Sequence, residues 1–135
     1  MEVMLSVFIL ALIFAIGLPV VANFYRDYQF DSEYELLFSL LEQARNQAMV
    51  NYNEAVHGLS INSVNYVLFQ GASFAARDAT QDKSFPRNTA ITISGPTELV
   101  FTALDGSVAS STLTLSHTQK SRDLYLNSEG LVYRK

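Results

Sequence analysis

The sequence predicts an α+β fold: one long N-terminal helix followed by an antiparallel β-sheet head of about six to seven short strands. Three observations carry this. Val3 to Ala22 (VMLSVFILALIFAIGLPVVA) is twenty positions without a charge. A helical period resumes at Asp31 and lasts to about Asn53. After His57-Gly58 the period drops to two, and turn-forming residues recur at short intervals.

The uncharged stretch comes first. At 1.5 Å per residue a helix of that length is ~30 Å long, the thickness of a bilayer's hydrocarbon core. Glu2 stands at its start, where a carboxylate enters hydrocarbon at a cost of several kcal/mol unless it is paired or held at the interface. Gly17 and Pro19 interrupt it near its far end, where proline removes a backbone hydrogen bond and loosens the helix. On the residues alone, two readings stand open for this stretch. A cleaved secretory signal would use Val20-Val21-Ala22 as its cleavage site but lacks a basic n-region. A one-span anchor carrying an unrelated β-rich domain would have Arg26, after the span, as its orienting charge.

Asn23 to Asp31 (NFYRDYQFD) carries four aromatics among polar residues, as a helix leaving a membrane interface does. Leu37, Leu41, Ala44 and Ala48 then recur at i, i+4, i+7 and i+11, a stripe narrow and small enough to lie closely on a sheet. Glu33, Glu35, Glu42, Arg45 and Asn46 fall on other faces, and Asp31 and Ser32 are caps if the helix breaks there. The helix is therefore expected from Glu2 to about Asn53, soft near Gly17–Pro19. Residues 1–25 form an apolar transmembrane or filament-core segment, and residues 26–135 the head, helical to about residue 54 and β-rich beyond. The expected strands are Gly58–Ile61, Tyr66–Gln70, Ala90–Ser94, Leu99–Leu104, Thr112–His117, Asp123–Asn127 and Leu131–Arg134, with turns at Asn62-Ser63, Gly95-Pro96, Asp105-Gly106, Lys120-Ser121 and Ser128–Gly130. Gly71 to Thr89 shows no period and reads as the longest loop.

Composition narrows the chemistry. The 135 residues contain no cysteine, so there is no disulfide, thiolate metal site or cysteine nucleophile. The two histidines, His57 and His117, lack metal-ligand spacing and read as solvated or capping groups. No phosphate loop, dinucleotide fingerprint or nucleophile elbow is present. The carboxylate pairs Glu33/Glu35 and Asp78/Asp82 read as solvated faces, too few for a cation site. No enzyme, cofactor or metal is expected. The net charge is −4, which gives no strong footprint for nucleic acid.

Glu2-Val3-Met4-Leu5-Ser6-Val7, the unbroken apolar run and a proline seventeen residues after the glutamate resemble the N-terminal segment of type IV pilins and type II secretion pseudopilins. Leu40 to Ala48 (LLEQARNQA) is similar to the Leu-x-x-Ala-Arg-x-x-Ala segment of the GspH/FimT group of minor pseudopilins. Leu99 to Gly106 looks like that group's strand and Asp-Gly turn, and Arg122 to Val132 like its closing hairpin. The family's basic residue, Gly and Phe-Thr-Leu-Ile before the glutamate are missing and Met1 alone stands there; a start set at an internal Met, or after processing, is expected, the alternative being a copy that is not processed.

The resemblance implies a structural subunit of a type IV pilus or type II secretion pseudopilus. It implies a chain held in the inner membrane by one pass with its head outside the cytoplasm, then built into a filament. The implied partners are other pilin or pseudopilin subunits, prepilin peptidase, the assembly platform and membrane lipid. The implied assembly residues are Glu2, which neutralises a neighbouring amino terminus, and Gly17 and Pro19. A second reading, DNA capture at a pilus tip, would use the C-terminal cations Lys120, Arg122, Arg134 and Lys135, with Arg77, Lys83 and Arg87 of the long loop.

Overall fold

A computed structural model describes residues 2–118 and 120–134; Glu2, residues 14–20 and Ala22 are described by backbone alone. Two compact units divide the chain, residues 1–32 and residues 33–135.

Helix α1 runs from Glu2 to Met49. It is unbroken through Gly17, Pro19 and Asp31, so Asp31 and Ser32 are interior positions rather than caps. It ends four residues earlier than the period predicts. Asn51 turns left-handed (φ 50°), its N–H bonded to the Ala48 carbonyl, and a short 3-10 turn, Tyr52–Glu54, follows. An asparagine in this conformation stops a helix as a glycine does, and hydropathy does not record it.

Eight strands follow: β1 His57–Ile61, β2 Asn65–Gln70, β3 Lys83–Pro86, β4 Thr92–Ser94, β5 Glu98–Phe101, β6 Ser111–His117, β7 Lys120–Leu126 and β8 Val132–Arg134. They form two antiparallel sheets, β3-β2-β1-β5 and β4-β6-β7-β8. The fold class is as expected, and the strand count is one higher. The added strand, β3, lies inside the stretch read as a loop. It is an edge strand with only Phe85 half-buried, and Pro86 ends it, so no apolar alternation marks it. The β6–β7 hairpin turns at left-handed Thr118, and Lys120, placed in the turn by sequence, already pairs with His117.

The expected stripe is the helix's core face: Leu37, Leu41, Ala44 and Ala48 are fully buried. Each leucine contributes about 1.5–3 kcal/mol by leaving water. Leu59, Leu68, Leu99 and Phe101 of the first sheet and Leu113, Leu115, Leu124 and Leu126 of the second complete the core. In β6 the leucines are buried while Thr112 is exposed, as the alternation predicts.

Candidate assembly interface

From Val3 to Ile13, α1 carries its side chains exposed. Nine large apolar residues between Val3 and Ile13 are exposed, Phe8 at 63% among them. Phe24, Tyr25 and Tyr28 are exposed as well. Among the described residues no helix is long and apolar enough to cross a membrane; the uncharged run continues through residues 14–20 and 22, whose side chains lie outside the description. At about 25 cal/mol per Å², apolar surface of this extent is unfavourable in water and demands cover. Of the expected assembly residues, Gly17 and Pro19 sit in helical backbone, and the Glu2 side chain is outside the described part.

At the start of the second unit, Glu33 corrects the surface reading of its carboxylate. It is 7% exposed, and its Oε1 accepts from the Tyr66 hydroxyl (2.5 Å) and the Asn88 N–H (3.2 Å). Burial, and then the hydrogen bond to Glu33 and its charge, raise the Tyr66 pKa far above its ordinary value. Arg87 lies beside this pair and donates to the carbonyls of Asn62 (2.8 Å) and Ile91 (2.9 Å). The group ties the helix to the first sheet and to the segment leading to β4. Glu33 precedes Leu37 by four residues, so extending the apolar stripe one turn backwards would have found it.

Two of the C-terminal cations, Arg122 and Arg134, face the helix. In the β7 register Arg122 lies opposite Leu115, and in β8 Arg134 lies opposite Leu124, so both share the face of buried leucines. Arg134 grips Glu35 with both terminal nitrogens (2.9 and 2.7 Å), 4.1 Å above the Phe38 ring. Arg122 lies 5.5 Å from the Tyr34 ring, whose hydroxyl donates to the Asp123 carbonyl (3.0 Å). Burial raises the Tyr34 pKa against the lowering pull of Arg134 and Arg122. Lys120 is half-buried on β7, and Lys135 lies outside the described residues. Arg77 of the long loop is paired with Asp82 at 2.7 Å and stacked 3.7 Å from Phe74, while Lys83 is exposed on β3. Arg77, Arg87 and Arg134 thus make internal contacts in the head.

Of the two alternatives expected for the histidines, solvated or capping, His57 takes the second. It is 4% exposed and its Nε2 meets the Tyr52 carbonyl at 2.8 Å, holding the 3-10 turn on β1. The His117 Nδ1 is 2.9 Å from the Ala90 carbonyl. Hydrogen bonds from the Thr80 hydroxyl and N–H lower the Asp78 pKa. Among the described residues no group of three acidic or histidine side chains is placed to hold a metal.

A family model described as type II transport protein GspH matches residues 33–130, nearly the whole second unit. No curated protein matches the chain. Among solved structures, the minor pseudopilin EpsH from the Type 2 Secretion System of Vibrio cholerae superposes with a TM-score of 0.57 over 75% of this chain and 91% of that one. At 11% sequence identity, that likeness is one of fold.

Proposed function

This chain belongs to the GspH family of type II transport proteins, and from that premise we propose that it is a minor pseudopilin, a structural subunit of a type II secretion pseudopilus that catalyses no reaction. The observation that carries the reading is the run of exposed apolar side chains from Val3 to Ile13, ahead of a head that matches the family. Lipid covers that surface before assembly, and the helices of other pseudopilins cover it afterwards. Residues 1–25 form the stalk, in the inner membrane and then in the filament core; the head, residues 26–135, stays outside the cytoplasm. Prepilin peptidase and the assembly platform act on the chain before it joins the filament. Pro19, which leaves a carbonyl one turn earlier without its helical partner, permits local melting as the stalk leaves lipid.

Glu2 pairs with the amino terminus of a neighbouring subunit. In a low-dielectric surround such a pair fixes register, and loss of one partner leaves an uncompensated charge. Glu2→Ala is the test. The head of the variant stays folded, because residue 2 lies outside the second unit, and its incorporation into filaments falls. Incorporation at the wild-type level defeats the assignment.

A further inference from the structure

The end of the head where α1 stops combines two features that rarely coincide. Met49, Val50, Tyr52 and Leu104 are large apolar side chains left 40%, 72%, 52% and 71% exposed. They belong together: the Leu104 N–H donates to the Ala48 carbonyl (2.9 Å), which puts its turn beside the last turn of the helix. Four non-glycine residues here, Asn51, Asn53, Glu54 and Leu104, have left-handed backbones, with φ between 50° and 69°. Each costs on the order of 1 kcal/mol or more. Leu104 keeps its side chain in water, and the bond from its N–H to the Ala48 carbonyl is what holds its left-handed backbone in place. An open groove of about 450 Å³ runs along α1 past Glu42 and Asn46 and ends at Val50 and Tyr52. The carboxylates on groove and patch are Glu42, Glu54 and Asp105, all exposed, and the exposed Lys83 lies beyond Tyr52 in the adjoining pocket. Arg45, the cation on this part of the helix, is turned to the Glu129 carbonyl at 3.4 Å.

We propose that this surface is a second subunit-docking site, used by the head rather than the stalk. Its occupant is a segment of another pilin-like subunit that presents apolar side chains flanked by Lys or Arg. The apolar residues take Val50, Tyr52 and Leu104 out of water, and the cations meet Glu42, Glu54 and Asp105 across the rim, where such pairs set register and partner choice. This site rests on the pseudopilin reading and extends it to a contact the stalk does not make.

The test uses the full chain in its own membrane, together with the other pilin-like subunits of its system. A photo-crosslinking residue is placed at Phe8, at Val50 and at Leu104 in separate variants. The expected result is adducts with a pilin-like subunit from all three positions. Capture from Phe8 alone overturns the docking site and leaves the pseudopilin reading standing; capture from none overturns both. Leu104→Gly separates docking from folding. Glycine suits the left-handed backbone, so the melting temperature holds within about 2 °C or rises, while capture from Val50 falls about tenfold. A variant that stays folded and captures the subunit at the wild-type level contradicts the proposal.

Discussion

The two sheets of the head use the same antiparallel pairing and bury their helix-facing leucines alike, yet they differ on their other face. In the first sheet all five residues of β1 are buried. Phe69 lies across Gly58, where a Cβ would collide with its ring and approach the Leu99 carbonyl at 2.8 Å. Phe74 of the following loop meets Phe69 edge-on at 5.6 Å, Arg77 stacks on Phe74, and the Phe74 N–H donates to Glu98 Oε1 at 2.7 Å. In the second sheet the outer face is open: Tyr125 and Tyr133 pair at 6.4 Å and remain 44% and 48% exposed. The covered sheet is therefore where outer-face side chains hold the fold. The open sheet contributes to stability through one face only, and its outer residues are free of that duty.

The largest effect that can break this contrast is at Phe69. Phe69→Ala empties the space between Gly58 and Phe74 and lowers stability by about 3–5 kcal/mol, measured by denaturant unfolding of the full chain. A cost below about 1 kcal/mol would mean that the loop does not act as a cover.

Tyr66 is next. Tyr66→Phe leaves the buried Glu33 carboxylate without one donor, a loss of about 1–3 kcal/mol at neutral pH. The folded state raises this group's pKa above the unfolded value of 10.0, so it favours the protonated form. Its contribution is complete below about pH 10 and is lost as the pH rises beyond that. The wild-type chain should lose stability above pH 10 more steeply than the Tyr66→Phe variant; equal slopes would remove Glu33 and Tyr66 from the account.

The smallest effect belongs to the open face. Tyr125→Ala changes stability by no more than about 0.5 kcal/mol, as substitutions in exposed positions generally do. A change as large as that of Phe69→Ala would show that the second sheet has a cover of its own.

These differences were unequally legible in the sequence. The core stripe was readable because 3.6-residue spacing places Leu37, Leu41, Ala44 and Ala48 on one face. Strict alternation in β6 also showed which side its leucines face. Applied to β7 and β8, the same alternation puts Arg122 with Leu124 and Arg134 with Val132, so their turn toward the helix was available and was masked by reading the tail as a charge count. β3 could not be read, because an edge strand with one half-buried residue carries no periodic signal. The left-handed stop at Asn51 follows from backbone geometry that hydropathy does not encode. The apolar stalk was plain as composition, while its role depends on neighbours that lie outside a single chain.

That role is the central claim, and the most direct measurement is quantitative mass spectrometry of isolated pseudopili from cells carrying the wild-type or the Glu2→Ala chain. The account predicts that the wild-type chain is present in the filaments, in fewer copies than the main subunit. It predicts that the variant is depleted there while folded in the membrane fraction. Filaments that form normally with the wild-type chain left wholly in the membrane would contradict it.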